Sequence, residues 1–193
     1  MNPSTILKAA QKKGLNGIAV ADHNSIKGSK EVIKINKNRD LEIVPAMEIR
    51  TQYGDVLVYY VQDEIKTRDF DELIDEAKKQ DAITSIAHPF RLMPHLRFKG
   101  DLKKVRDKID SIESFNGRNF FWENRRAEHT AEDLKLSKTG GSDGHFVFEI
   151  GNGITLFEGD LRKAIKQKRT SVCGTTLIGP WSALISAMVR RIR

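Results

Sequence analysis

The chain has 193 residues and a net charge of +7; 39% of its residues are hydrophobic and 31% are charged. This length and composition predict one soluble globular domain over residues 1–193. No apolar stretch approaches the roughly 20 residues that cross a bilayer, and the start lacks the basic-then-apolar plan of a secretory signal. Because Cys173 is the single cysteine, an internal disulfide is excluded, and we expect a cytoplasmic protein without a membrane role.

Helical and strand-like patterns alternate along the chain. Pro3 suits a first helical turn that Asn2 caps and Gly14 ends. Further helices are predicted over residues 29–38, 69–80, 100–109, 123–134, 160–168 and 181–191, the last within a basic C-terminal region, 175–193. Strands are predicted over residues 17–23, 41–48, 55–61, 82–88, 111–116 and 153–157, with a hairpin turn near Gly54. The alternation favours an α/β fold, either a βα barrel or an open sheet, although a barrel normally begins with a strand and this chain begins with a helix.

Residues of the kind that bind metals end several of these strands. Apolar runs stop at His23, at Glu48 and at His88, and the segment GGSDGH over residues 140–145 adds Asp143 and His145. Because the strand tips of an α/β fold lie on one face, residues that are distant in sequence converge there. Imidazole and carboxylate ligands suit zinc, manganese or iron, and a metal-bound hydroxide can attack phosphorus. Together the five residues predict a metal-dependent hydrolase.

Several of these residues also have a plainer explanation. Asp22, beside His23, can cap a loop by accepting a hydrogen bond from a backbone amide. A buried Glu48 is costly unless it is paired, and Arg50 or another base would pair with it. Asp143 can be a solvated residue of a glycine-rich turn. The sequence leaves these alternatives open.

Basic and amide side chains near the strand tips are candidates for holding a substrate. Arg91 lies just beyond one strand tip, and Arg118 and Lys138 are further candidate phosphate contacts. Asn116 ends its own strand and is a candidate weak ligand or substrate donor; equally, Asn-Gly is a turn-forming pair. The basic C-terminal region attracts polyanions such as nucleic acid, or it is a solvated helix face followed by a tail.

The whole pattern resembles the polymerase and histidinol phosphatase (PHP) family of metal-dependent phosphoesterases. The matching stretches are GLNGIAVADHN over residues 14–24, the strand ending at Glu48, AHP over 87–89, IESFNG over 112–117 and GGSDGH over 140–145. They lie within residues 2–174. The resemblance implies a distorted seven-stranded βα barrel that holds up to three metals at its strand tips. It also implies hydrolysis of phosphoesters, and some small members act on nucleotides or short oligonucleotides.

By position, the resemblance implies that Glu48 bridges two metals, that His88 binds one of them, and that His23 and His145 hold another, with Asp143 completing the site. The chain departs from the family at its start. Members begin with a strand that ends in His-x-His, followed closely by an acidic residue, whereas this sequence opens at the next helix. The first barrel strand is therefore missing here. At roughly four ligands per zinc, the remaining residues would hold one or two divalent ions, Zn, Mn or Fe.

Three explanations of this departure compete. The first residue is an internal methionine of a longer protein, or the chain is short and impaired, or a second copy covers the exposed strand edges. We expect a phosphoesterase in which a metal-bound hydroxide hydrolyses a phosphomonoester or phosphodiester, with Glu48 and Asp143 as catalytic residues. The expected substrate is a phosphorylated small molecule, a nucleotide or a short oligonucleotide. The alternative is a catalytically silent PHP-like module that binds nucleic acid or a protein partner through its basic C-terminal region.

Overall fold

A computed structural model describes residues 1–37 and 41–176. Its helices are α1 (Pro3–Lys12), α2 (Lys27–Ile35), α3 (Phe70–Lys79), α4 (Leu102–Val105), α5 (Phe121–Asp133) and α6 (Leu161–Lys166), with a 3-10 turn over Val147–Glu149. Its strands are β1 (Gly17–His23), β2 (Glu42–Arg50), β3 (Asp55–Tyr59), β4 (Ile83–Ile86), β5 (Ser111–Asn116), β6 (Ser137–Gly141), β7 (Gly153–Leu156) and β8 (Ser171–Gly174). The predicted helix end at residue 38 and the predicted C-terminal helix, 181–191, lie outside the described residues.

The first six strands form one sheet in the order β1 to β6, and β7 pairs with β8 in a separate two-stranded antiparallel sheet. Strand β3 runs antiparallel to both of its neighbours, and the other pairs in the sheet are parallel. The sheet curls so that its two edges, β1 and β6, line one cleft of about 1210 Å³. The fold is therefore mixed α/β, as predicted. The expectation was a seven-stranded barrel that lacks its first strand in this chain. The described residues form a curled six-stranded sheet and a separate two-stranded sheet, and no sheet hydrogen bonds join β1 to β6 among them, so a closed barrel is not confirmed.

The two faces of the sheet differ in chemistry. On the outer face Met47 and Ile49 are fully buried in the main hydrophobic core, which the sheet shares with α3 and α5. Successive strand residues alternate between faces, so Glu48 points to the inner face between them. The inner face also carries Ser85 and Thr139, whose hydroxyls share a 2.9 Å hydrogen bond. This polar interior directs the predicted ligands towards the cleft.

Local capping chemistry explains where the helices begin. The side chain of Asn2 accepts a 2.9 Å hydrogen bond from the amide of Ser4, and a proline opens α1, as predicted. Asp69 caps α3 in the same way. The side chains that α3 then buries are Phe70, Leu73, Ile74 and Ala77, the spacing that predicted this helix. None of the helices in the described part of the chain is long and apolar enough to span a bilayer.

Three short elements were not predicted: β6, β8 and the 3-10 turn. They contain five, four and three residues, too few for hydrophobic periodicity to be recognised. Strand β6 ends in two glycines. A Cβ atom on Gly140 would lie 2.5 Å from the carbonyl oxygen of Ile154, so glycine allows β7 to pack closely on this edge of the sheet.

Candidate metal centre

The carboxylate of Glu48 lies between two histidines. His23 and Glu48 are register partners at the ends of the parallel strands β1 and β2, and His23 Nδ1 lies 3.2 Å from Glu48 Oε2. The other carboxylate oxygen, Oε1, lies 3.1 Å from Nε2 of His88, just beyond β4. The structure therefore brings three of the predicted ligands to one place. His88 is buried, whereas 54% of the His23 side chain is exposed, so the site opens to solvent on the β1 side.

A fourth residue, Asp55, was missed by the sequence analysis. Because β3 is antiparallel, its first residue lies at the edge where β2 and β4 end. Donor atoms of Glu48, Asp55 and His88 all lie within 4.8 Å of one another, and His88 Nε2 is 3.7 Å from Asp55 Oδ2. The sequence analysis considered only residues that end strands. The hairpin that it predicted near Gly54 was the signal that the start of β3 returns to this edge.

Arg50 pairs with Asp55 and not with Glu48. Its Nε and Nη2 atoms contact the two carboxylate oxygens of Asp55, with 2.8 Å between Nη2 and Oδ2. The salt bridge between Arg50 and Glu48 is therefore wrong, and the basic partners of Glu48 are the two histidines. Burial raises the pKa of Asp55, and the charge of the nearby Glu48 adds to the effect. A divalent cation between these two carboxylates would offset their repulsion.

Glu48 and His88 shift each other's pKa. Burial acts to raise the pKa of Glu48, but the hydrogen bond and charge of His88 outweigh burial and lower the pKa. Burial acts to lower the pKa of His88, with help from Arg91, but the contacts with Glu48 outweigh both and raise the pKa. A histidine must be neutral to bind a metal, so a proton and a metal ion compete for the same Nε2 atom.

The imidazole of His88 is held in one orientation. Its Nδ1 atom lies 3.0 Å from the carbonyl oxygen of Leu96, which can only accept, so Nδ1 carries the proton and Nε2 faces the carboxylates. The backbone φ angle is 28° at His88 and 48° at Asp143. Non-glycine residues seldom adopt such angles, and strain of this kind concentrates at functional sites.

Asp143 is held by Arg91. Its Oδ2 atom lies 2.7 Å from Arg91 Nη2, which also donates to Asn116 at 2.9 Å, while Arg91 Nε donates to Asn119 at 3.0 Å. Only 14% of the Asp143 side chain is exposed, so the explanation of a solvated turn residue is wrong. Burial acts to raise the pKa of Asp143, but the charge and hydrogen bond of Arg91, together with the charges of His88 and His145, outweigh burial and bring the pKa to about 2.

A buried glutamate, Glu113, links the two halves of the site. Its Oε2 atom accepts hydrogen bonds from the backbone amide of His88 at 2.7 Å and from Asn116 Nδ2 at 3.0 Å. Burial raises the pKa of Glu113 to about 7. The sequence analysis missed this residue. The available signal was its place in β5, where Glu113 shares the inner face with Ser111 while Ile112 faces the core.

His145 lies beside His23. Its ring centroid is 6.4 Å from that of His23, and its Nδ1 atom lies 3.0 Å from the backbone oxygen of Asp143. Its backbone amide donates a 2.7 Å hydrogen bond to Glu149 Oε2. The buried carboxylate of Glu149 thereby fixes the loop that carries Asp143 and His145.

Two of the expected phosphate contacts are corrected by the structure. Arg118 is buried and pairs with both oxygens of Glu149, at 2.8 and 3.0 Å. Its guanidinium therefore supports the loop of His145, and the geometry does not favour a phosphate contact. Lys138 lies near the start of β6, at the opposite end from the strand tips, where its ammonium pairs with Glu128 and Glu132.

Asp22 caps the first turn of α2 and does not belong to the ligand cluster. Its Oδ2 atom accepts a 2.8 Å hydrogen bond from the amide of Gly28, in the first turn of a helix whose own N-cap residue, Ile26, provides no side-chain cap. The capping explanation is confirmed. We expect Asp22→Ala to lower the free energy of unfolding by about 1 kcal/mol, as for loss of an N-cap, and to leave metal binding unchanged. Urea unfolding and a calorimetric metal titration measure both effects; weakened metal binding would contradict this assignment.

Known proteins are similar to this chain in sequence and in fold. A family model described as PHP-associated matches residues 121–170, which include Asp143 and His145. The uncharacterized protein MJ1587 of Methanocaldococcus jannaschii is 34% identical over 116 residues, 59% of this chain and 66% of that protein. The uncharacterized protein MJ0417 of the same organism is 29% identical over 164 residues, 81% of this chain and 64% of that protein. Each match thus spans just under two thirds of the relative.

Solved structures share the fold. A two-domain protein from Bacteroides vulgatus, containing a predicted PHP-like metal-dependent phosphoesterase, gives a TM-score of 0.76 at 18% identity, over 90% of this chain and 60% of that one. PsfC from Pseudomonas syringae gives a TM-score of 0.71 at 20% identity, over 97% of this chain and 88% of that one. A putative metal-dependent phosphoesterase from Bifidobacterium adolescentis gives a TM-score of 0.64 at 16% identity, over 75% of this chain and 82% of that one. At these identities the similarity shows the fold. The PHP-associated match over residues 121–170 is a further similarity of this chain to PHP proteins.

Proposed function

We propose that the chain is a metal-dependent phosphoesterase. The observation that carries this proposal is the cluster formed by Glu48, Asp55 and His88, whose donor atoms lie within 4.8 Å of one another. His23 lies on one side of this cluster, and Arg91, which Asp143 holds in place, lies on the other. The B. vulgatus and B. adolescentis neighbours are described as predicted or putative metal-dependent phosphoesterases, and we extend that class of activity to this chain.

The donor set fits one or two divalent cations. Glu48, Asp55 and His88 would hold one, and the second oxygen of Glu48 with His23 would begin another site, near His145. Imidazole and carboxylate groups suit zinc, manganese or iron. When bound, such a cation polarises a phosphoryl oxygen and lowers the pKa of a water molecule. Glu48, with one oxygen beside each histidine, is the residue placed to bridge two cations.

Arg91 is the residue best placed to hold the phosphate. Its hydrogen bonds to Asp143, Asn116 and Asn119 use Nε and Nη2, so within the described residues Nη1 keeps its N–H donors for a substrate oxygen. Burial acts to lower the pKa of Arg91, but the charge and hydrogen bond of Asp143, together with the charges of Glu113 and Glu48, outweigh burial and raise the pKa, so the guanidinium stays charged. A planar group already held by three partners loses little freedom when it binds a phosphate.

Asp143 has two roles in this proposal. One oxygen, Oδ2, holds Arg91 in place, while Oδ1 lies 3.7 Å from Nδ1 of His145 and remains the atom available to a cation. With a pKa of about 2, the carboxylate is ionised at any pH where the enzyme would work. Asn116 then acts as a positioning residue, because its buried amide joins Arg91 to Glu113.

The test begins with protein stripped by a chelator and reloaded with manganese, zinc or iron. We expect metal-dependent release of p-nitrophenol from p-nitrophenyl phosphate or from bis(p-nitrophenyl) phosphate, and the preference between them separates monoester from diester chemistry. His88→Ala should bind less metal and lose the activity. Folded protein that binds none of these metals by elemental analysis would contradict the proposal. Bound metal without turnover of either ester would instead favour the silent module.

A further inference from the structure

A side-chain carboxylate takes the place of a strand carbonyl beside the tip of β4. The ladder between β4 and β5 ends at the pair formed by Ile86 and Ile112. Two residues later, the backbone amide of His88 donates to Glu113 Oε2 at 2.7 Å and not to a backbone carbonyl of β5. On this side of β4, the place of the candidate ligand His88 therefore depends on the side chain of Glu113, which is itself buried.

The backbone of His88 needs such support. Its φ angle of 28° lies in a region that a non-glycine residue keeps only where the surrounding contacts hold it there. The bond from Nδ1 to the carbonyl oxygen of Leu96 orients the ring, and the bond from the amide to Glu113 holds the backbone from which the ring projects. Without the second bond the backbone can relax, and Nε2 should move away from Glu48 Oε1, which lies 3.1 Å from it.

The same carboxylate oxygen supports the half of the site that would hold phosphate. Glu113 Oε2 also accepts a hydrogen bond from Asn116 Nδ2 at 3.0 Å. The amide oxygen of Asn116 in turn accepts from Arg91 Nη2 at 2.9 Å, and Arg91 is the residue best placed to bind a phosphate. One oxygen atom of Glu113 therefore connects a candidate metal ligand, His88, to the candidate phosphate contact.

These contacts depend on the length of the Glu113 side chain more than on its charge. Both groups that donate to Oε2 are neutral amides, from His88 and Asn116. Within residues 1–37 and 41–176 no donor contacts Oε1 and no buried side-chain oxygen lacks a partner, so Oε1 is open to the cleft. Gly141 leaves room for it, since a Cβ atom there would lie 2.9 Å from Oε1. What Glu113 supplies is thus an acceptor at a fixed distance.

We propose that Glu113 is a positioning residue whose reach fixes His88 as a metal ligand and, through Asn116, fixes Arg91 as the phosphate contact. The proposal rests on the proposed phosphoesterase function and adds to it a residue that acts through its neighbours. Two variants separate reach from charge. Glu113→Gln keeps the length and an acceptor oxygen but removes the charge, whereas Glu113→Asp keeps the charge but is one carbon shorter. Positioning predicts that the Asp variant is the damaged one, and an electrostatic role predicts the reverse.

The first experiment needs no metal. In EDTA, the backbone amide of His88 should exchange with solvent about ten-fold faster in Glu113→Asp than in the parent, as for loss of one hydrogen bond. Glu113→Gln should keep the parent rate, and NMR of the full-length protein measures all three. Asp110→Ala is the matched control, because Asp110 Oδ2 accepts the amide of Thr84 at 2.8 Å near the opposite end of β4. Equal exchange of the His88 amide in the parent and in Glu113→Asp would overturn the proposal.

The second experiment measures the affinity for Co²⁺ and for inorganic phosphate by calorimetry. Glu113→Asp should bind Co²⁺ about ten-fold to a hundred-fold more weakly, the cost of losing a residue that orients a metal ligand. The visible absorption spectrum of the bound Co²⁺ should change as well, and the cobalt-loaded variant should bind phosphate more weakly. Glu113→Gln and Asp110→Ala should match the parent in each measurement.

The outcomes separate this proposal from the proposed function. Affinities in Glu113→Asp equal to those of the parent would overturn the positioning role, and so would a larger loss in Glu113→Gln than in Glu113→Asp. A parent protein that binds no metal would instead contradict the phosphoesterase proposal. The exchange rates measured in EDTA would then still decide whether Glu113 holds His88 in place.

Discussion

Replacing Glu48 with Gln should cost the protein at least roughly a hundred-fold in metal affinity, and metal-dependent turnover should fall with it. Even residues that only orient a metal ligand cost about ten-fold to a hundred-fold, and Glu48 contacts both His23 and His88 directly. Gln keeps the shape of the side chain but removes its charge and one acceptor oxygen. Calorimetric titration with Mn²⁺ and Zn²⁺, with elemental analysis of the purified variant, measures the loss.

Glu158→Gln is the control for this experiment. Glu158 is exposed between β7 and α6, so the same chemical change there should leave bound metal and unfolding unaffected. Glu48→Gln should also unfold at a urea concentration close to that of the chelated parent, which would separate lost binding from lost structure. Metal affinity equal to that of the parent would remove Glu48 from the centre and, with it, the main support for the phosphoesterase.

Replacing Arg118 with Met should destabilise the protein by about 3–5 kcal/mol, the usual cost of removing one partner from a buried ion pair. In this variant Glu149, which is 1% exposed, loses the guanidinium of Arg118 that contacts both of its carboxylate oxygens. The same carboxylate accepts the backbone amides of His145 and Phe146, so the loop with the Asp143 and His145 ligand candidates should loosen as well. Urea unfolding followed by far-ultraviolet circular dichroism gives the change in free energy.

Two further variants test the cause of this effect. In the double variant Arg118→Met/Glu149→Gln the unpaired charge is gone, so part of the lost stability should return. Arg68→Met is the matched control at an exposed arginine, where we expect almost no change. If Arg118→Met instead kept its stability and lost only activity, the original expectation of a phosphate contact for Arg118 would be restored.

The elements that the sequence predicts well are those whose pattern is local. Strand β5 occupies the predicted residues 111–116, and α3 lies within one residue of its predicted bounds at either end. Helical spacing, a capping side chain and an apolar run are all read from neighbouring residues. The same holds for His23, Glu48 and His88: each follows an apolar run, and because β1, β2 and β4 run in the same direction, the three residues lie at one edge of the sheet. Their position was therefore open to prediction, while their role as ligands still awaits the metal titration.

The rest depended on partners that are distant in the chain. Asp55 joins the cluster only because β3 reverses direction, and Arg50 contacts it only through the register of that hairpin. The choice of Glu149 as the partner of Arg118, 31 residues away, follows from the packing of two loops, and no local pattern encodes it. Side-chain type and periodicity thus determined which residues reach the strand tips. The pairing of charges, which decides whether a side chain binds substrate or supports a loop, was settled by tertiary structure, because a charge takes the nearest partner in space and not in sequence.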